Sequence, residues 1–274
     1  AVVVVYDVEA ERRDRTSLEL PGAQNQLVAA VAAANPHTVV VLETGAAVLM
    51  PWLRSVPAVL ETWYPGETAG TTLVALLDGQ INPSGKLPVT FPAAQTPASM
   101  PDATLSSFGG VDGHVAYSDG VDVGYRWYEA NGVVPLFPFG YGLSYTRFRF
   151  SGLKVQPAAS GGLDVQVTVA NVGAVAGADV VQSYVGFPSG TGEAPRQLRG
   201  YARVDLAPKE STTVHLALAP GDLATWNSTT GWNVPGGIFR VYVGDGSDLA
   251  NLPLSTSVVM HGAALGVNSG PAST

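Results

Sequence analysis

The chain contains no cysteine, so disulfides and thiolate chemistry are both excluded. A chain of 274 residues can build a core large enough to do without such staples. Charge is also scarce: 13% of the residues are Asp, Glu, Lys or Arg, and only three are lysines. With 46% hydrophobic residues, this composition argues for a folded globular protein rather than a disordered one. The formal net charge is −8, and no basic cluster stands apart from acidic neighbours. Nucleic acid is therefore not an expected partner, because phosphate binding needs a concentrated basic face. No apolar run approaches the roughly 20 residues that cross a bilayer as a helix, so no membrane partner is expected. The four histidines (His37, His114, His215, His261) are scattered without ligand spacing, which predicts no metal site. Gly140-Tyr141-Gly142 precedes no strand-to-helix transition, so it does not read as a phosphate loop, and no cofactor is expected.

What is present begins with contrast. AVVVV at the N-terminus reads as a strand buried on both faces, and VEAERRDRTSLELPG (8–22) follows it with seven charged side chains in fifteen residues. A buried strand at a chain end predicts that the sequence starts inside a larger polypeptide. TVVVLET (38–44) and PAVLETW (57–63) are further short apolar runs of the kind a parallel sheet buries. Gln24 to Ala34 is helical in composition and stopped by Asn35-Pro36, and a second helix is expected from about Glu67 to Leu77. Strand–helix–strand spacing of this kind indicates an α/β region with parallel strands.

The pattern changes after Phe91-Pro92. Ala93 to Asp119 reads as an extended loop or linker, and Gly124 to Tyr145 as an aromatic strip punctuated by Gly and Pro. From Arg147 onward, LDVQVTVANV, DVVQSYVGF, ESTTVHLAL and GIFRVYVGD alternate apolar and polar residues between turn signals. Such runs predict an antiparallel β-sandwich. The last residues, GVNSGPAST, read as a frayed tail.

Five stretches in series, TVVVLETGAAVLMPW, VLETWYPGETAG, LLDGQINPSGKLPVTFP, VGYRWYE and PLFPFGYGLSYTRF, resemble the C-terminal half of family 3 glycoside hydrolases, mostly β-glucosidases. The resemblance covers Val2 to about Val259. It implies α/β plus all-β architecture: a partial α/β sandwich with a mostly parallel sheet, followed by a fibronectin type III-like β-sandwich. The corresponding boundaries are 1–92 for the α/β part, 93–145 for the connecting strip, 146–265 for the sandwich and 266–274 for the tail. In that family a β-glucoside is hydrolysed with retention, using an Asp nucleophile from an N-terminal barrel and a Glu acid/base from the α/β sandwich. The implied partners are thus a β-glucoside substrate and the barrel, which this chain does not contain.

The family's acid/base loop reads Glu-x-x-Asp-Arg ahead of Leu-Pro-Gly. Here Glu11-Arg12-Arg13-Asp14-Arg15 precedes Leu20-Pro21-Gly22, so the resemblance implies Glu11 as the acid/base. Chemistry requires the same equipment: retaining hydrolysis needs two carboxyl groups about 5–5.5 Å apart, one of them protonated before it donates. A loop at the carboxyl end of a parallel strand is where open α/β sheets present ligands. Taken without the resemblance, Glu11 is a solvated loop carboxylate beside an arginine. Glu9 is the alternative acid/base, and Glu9 and Arg12 are candidate substrate-binding residues. Arg12 stands where the family commonly has Gly, and Glu43 and Glu67 stand where Asn and Gln are expected. Asp14 and Arg15 are expected to form an ion pair that shapes the loop.

Smaller expectations complete the reading. Trp63 and Tyr64 are expected to pack against the following helix, and Asn82-Pro83-Ser84-Gly85-Lys86 to form a surface turn. Trp127, Tyr128, Phe137, Phe139 and Tyr141 are expected to anchor the connecting strip. Asn227-Ser228-Thr229 is a glycosylation sequon in form, meaningful only in an exported eukaryotic protein. Eleven arginines against three lysines favour a bacterial source, for which secretion and cytoplasmic residence both stay open, with secretion preferred. A reading of another class is a non-catalytic structural or carbohydrate-binding module.

Overall fold

The opening run of valines forms strand β1 (Val2–Tyr6) in the computed structural model, which describes residues 1–11, 15–100, 114 and 120–265. Helix α1 (Gln24–Ala34), strand β2 (Val39–Glu43) and strand β3 (Ala58–Glu61) follow. The sheet order is β1-β2-β3 and both pairings are parallel, with Val3 opposite Val40 and Val41 opposite Leu60. The central strand β2 is covered on both faces, and Val40, Val41 and Leu42 are fully buried. In β1 only Val3 and Val5 are buried, whereas Val2, Val4 and Tyr6 face solvent. This corrects the expectation of a strand buried on both sides. Side chains alternate along a strand, and β1 lies at the sheet edge with one face covered.

Helix α1 stops where its sequence says it should. Asn35 turns extended, its side chain accepts the His37 N–H at 2.8 Å, and Pro36 cannot continue the helix. Trp52, 3% exposed, ties α1 down by donating its indole N–H to Asn25 Oδ1 at 2.8 Å. After β3 a 3₁₀ turn (Gly66–Thr68) leads into helix α2 (Ala69–Leu77).

The chain folds as two compact units, each gathered from separate stretches. The first contains the described residues of Ala1–Asp78, Val89–Ser118 and Val133–Phe137; the second contains those of Gly79–Pro88, Asp119–Gly132 and Pro138–Thr274. In the first unit Phe91 is nearly fully buried and packs against the rings of Trp63 at 6.2 Å and Phe137 at 6.3 Å.

The second unit is built on an antiparallel sandwich. Its strands are β4 (Phe148–Pro157), β5 (Leu163–Asn171), β6 (Gly177–Gly186), β7 (Gln197–Leu206), β8 (Ser211–Leu218), β11 (Gly237–Gly244) and β12 (Leu254–Met260). They form a three-stranded sheet, β4-β5-β8, and a four-stranded sheet, β12-β11-β6-β7. Between them lies one apolar core. Val165, Val167 and Val169 of β5, Val181 and Val185 of β6, and Phe239, Val241 and Val243 of β11 contribute alternate residues. The short strands β9 (Thr225–Asn227), β10 (Gly231–Val234) and β13 (Ala263–Ala264) make a small side sheet. Asn171, 1% exposed, accepts from Thr146 Oγ1 (2.6 Å) and the Gly173 N–H (3.1 Å) and donates to the carbonyls of Val175 (2.8 Å) and Leu206 (3.1 Å).

Two sequence expectations fail in this unit. Residues 82–86 are not a surface turn but an irregular, largely half-buried strap. Asn82 donates to the Ala176 carbonyl and accepts from the Tyr145 N–H, and Lys86 reaches Asp179 at 2.9 Å and Asp245 at 3.5 Å. A nearly buried Asp179 needs a counter-charge, and that need overrides the local turn signal. The aromatic strip also contains a helix, α3 (Tyr125–Ala130). Tyr125 stacks on Phe139 at 5.0 Å and accepts the Leu198 N–H through its hydroxyl at 2.8 Å.

Candidate active site

The three parallel strands end together, and the first polar residues beyond their apolar runs converge there. Asp7 follows β1, Thr44 and Gly45 follow β2, and Glu61 closes β3. Asp7 continues the ladder by donating its N–H to the Glu43 carbonyl at 3.3 Å, which turns its side chain toward the sheet end. Its carboxylate is 4% exposed; Oδ1 accepts the Gly45 N–H at 3.0 Å and the Tyr64 hydroxyl at 2.7 Å. Because the Tyr64 hydroxyl donates to this carboxylate, the tyrosine is held above its ordinary pKa.

Arg15 completes the cluster. One guanidinium nitrogen, Nη1, lies 3.0 Å from Glu9 Oε1, 3.2 Å from the Ala47 carbonyl and 3.4 Å from Asp7 Oδ2. The Glu9 N–H donates to the Tyr64 oxygen at 3.2 Å. Glu61 forms an adjoining layer, accepting from the Trp63 N–H at 2.8 Å and from Thr44 Oγ1 at 3.1 Å. Burial pushes the Glu61 carboxyl up to about 7; the hydrogen bonds from Trp63 and Thr44 oppose this, and the neighbouring Asp7 charge adds to it. Trp63 itself adopts a left-handed conformation with φ of 53°, and Gly45 approaches Glu9 and Tyr64 closely.

Glu11 is exposed in the turn that the loop makes after the sheet end. Arg12 lies outside the described residues, as do Arg13 and Asp14, and with them the expected Asp14–Arg15 pair. The partners found for Arg15 are Glu9 and Asp7. Glu9 is accordingly engaged by Arg15 and Tyr64. Tyr64, expected to be buried against the following helix, is 54% exposed, and Trp63 packs on Phe91. Sequence reasoning passed over Asp7, Gly45 and Glu61, and gave Tyr64 a packing role. For Asp7 and Glu61 a signal existed: each is the carboxylate that closes an apolar run at the end of a parallel strand. Among the described residues no group of three or more His, Asp or Glu side chains is arranged to hold a metal ion.

The arrangement gathers carboxylates, a guanidinium and a tyrosine hydroxyl at the end of the parallel sheet. An exposed carboxyl rides on a loop whose base is held by charge, beside a parallel-sheet end. Residues 1–145 match the glycosyl hydrolase family 3 C-terminal domain, and residues 179–247 match a fibronectin type III-like domain. A β-glucosidase of Rhizobium radiobacter is 45% identical over 81% of this chain, and β-glucosidase B of Emericella nidulans is 44% identical over 87%. The chain spans only 28% and 30% of those two relatives. The crystal structure of a β-glucosidase from Streptomyces venezuelae in complex with D-glucose superposes over 95% of this chain with a TM-score of 0.89 and 44% identity, and 33% of that chain is covered. A family 3 β-glucosidase from Bifidobacterium adolescentis covers all of this chain at a TM-score of 0.88 and 31% identity, with 40% of its own length matched. With more than half of its length matched, this chain belongs to the glycosyl hydrolase family 3 C-terminal domain family.

Proposed function

We propose that this chain is the C-terminal part of a retaining β-glucosidase that hydrolyses terminal β-linked glucose, with Glu11 as its acid/base. The observation that carries the reading is the exposed Glu11 on the charged loop at the carboxyl end of β1, in a chain of this family. In the first step an aspartate of the barrel attacks the anomeric carbon, and Glu11 gives its proton to the departing glycosidic oxygen. In the second, Glu11 takes a proton from the water that attacks the same carbon and releases glucose. The chain holds no motif that fits the nucleophile's role, so the isolated chain is expected to be inactive. The half-exposed apolar strand β1 favours this reading over a self-sufficient binding module, because Val2, Val4 and Tyr6 offer a surface for completion by further structure.

The test is Glu11→Gln in the enzyme completed by its barrel. Hydrolysis of phenyl β-glucoside, a poor leaving group, should fall by about 10²–10⁴-fold, the range general acid catalysis supplies. Glycosylation by 2,4-dinitrophenyl β-glucoside, which needs little protonation, should be largely spared. Equal rates for Glu11→Gln and the parent on the phenyl substrate would refute the assignment. Independent solubility and sugar binding by the 274-residue chain alone would favour the module instead.

A further inference from the structure

The loop that carries Glu11 is pinched shut at its base. Glu9 and Arg15 flank Glu11 and meet through Oε1 and Nη1 at 3.0 Å. The same Nη1 reaches the Ala47 carbonyl and Asp7 Oδ2, which fastens the Glu9–Arg15 pair to the sheet end. Tyr64 adds a second fastening from β3's side: its oxygen donates to Asp7 and accepts from the Glu9 N–H. The Tyr64 ring is 54% exposed, so packing alone does not hold it there. Its position follows from the left-handed backbone of Trp63, whose N–H is held by Glu61. Gly45 leaves the necessary gap, since a Cβ there would lie 2.5 Å from Glu9 Oε2 and 2.9 Å from the Tyr64 oxygen.

We infer that Asp7, Glu9, Arg15, Gly45 and Tyr64 form a clamp that aims Glu11 at the glycosidic oxygen, and that Tyr64 and Arg15 are positioning residues for proton donation. The inference rests on the assignment of Glu11 as acid/base. Fixing both ends of a short loop restricts the directions its middle can take. A general acid must meet the leaving oxygen within hydrogen-bond reach, and a misplacement of about 1 Å can cost about 10²-fold. The clamp touches neither sugar nor nucleophile in this scheme, so its effect passes wholly through Glu11.

The experiment uses the full-length enzyme and three variants, Tyr64→Phe, Gly45→Ala and Glu11→Gln. Values of kcat/KM on phenyl and 2,4-dinitrophenyl β-glucosides, which report the steps through glycosylation and not the later attack of water, are compared after normalisation to the folded fraction. Tyr64→Phe removes one oxygen atom; Gly45→Ala removes no polar group and pushes on Glu9 and Tyr64. Both should lose roughly 10- to 100-fold on the phenyl substrate and less than about threefold on the activated one, the same selectivity as Glu11→Gln in weaker form. If Glu11→Gln is selective and Tyr64→Phe is unaffected, or slows both substrates alike, the clamp is refuted while the Glu11 assignment stands. If Glu11→Gln itself lacks selectivity, the assignment fails. Should Gly45→Ala not fold, Tyr64→Phe decides alone.

Discussion

Replacing Lys86 with methionine isolates the energetics of the strap. The ammonium lies 2.9 Å from Asp179 Oδ1 and 3.5 Å from Asp245 Oδ2, and it also donates to the Gly142 carbonyl at 3.1 Å. Lys86 is 12% exposed, Asp179 3% and Asp245 32%. At an effective dielectric of about 20, each contact is worth about 5–6 kcal/mol in gross attraction. Desolvation offsets much of that in the intact cluster. Lys86→Met keeps the length of the stem but leaves two neighbouring carboxylates without their cation, which costs about 3–5 kcal/mol. That is a large share of the 5–15 kcal/mol typical of a folded domain. The sign with pH follows from the charges left behind. Burial already raises the Asp245 carboxyl, and Lys86 opposes that shift. Without Lys86, the Asp245 carboxyl should titrate still further above its unfolded value, so the variant recovers stability on acidification and loses it as pH rises through the raised pKa. Urea unfolding of parent and variant at pH 5 and pH 7 measures both effects. A gap under about 1 kcal/mol at pH 7, or one that widens at pH 5, would refute the reasoning.

Other outcomes follow from single groups. Glu61, whose carboxyl is pushed up to about 7, should favour folding while protonated and lose up to about 2–3 kcal/mol of that contribution as pH rises from below 4.5 to above 7. Glu61→Gln should flatten this slope relative to the parent in denaturant midpoints from pH 4 to 8; parallel slopes would refute it. Asn171→Ala should cost about 2–3 kcal/mol, because the buried Leu206 carbonyl, the half-buried Val175 carbonyl and two donors lose a partner at once, and thermal unfolding would register it. A change below about 1 kcal/mol would mean that water replaces all four bonds.

Local signals made much of the fold legible. Asn35-Pro36 ends α1 through backbone chemistry that acts within two residues. The alternating runs from Leu163 to Leu218 place Val165, Val167 and Val169 inward by period alone. Legibility ended where a partner lies far along the chain. Nothing near Lys86 announces that Asp179 waits 93 residues later, and nothing in VVVV distinguishes a central strand from an edge strand. At the site, the charged loop and the parallel-strand end could be read, but the clamp could not. Arg15 finds Asp7 and Ala47 only once β1 and β2 are paired in register. Tyr64 looked like a packing aromatic because the left-handed turn at Trp63, which frees its ring and directs its hydroxyl, has no signature in residue type.

The strap also bears on how such a protein can be divided. The sandwich unit owns residues 79–88 and 120–132, which precede its first strand. A gene cut just before Phe148 would preserve every sandwich strand yet discard Asn82, Lys86, Tyr125 and Glu129. Asp179 and Arg196 would lose their ion-pair partners, Lys86 and Glu129. Recombination by domain exchange at that point should therefore yield insoluble chimaeras. Crossovers that carry residues 79–88 and 120–132 along with the sandwich should yield soluble ones.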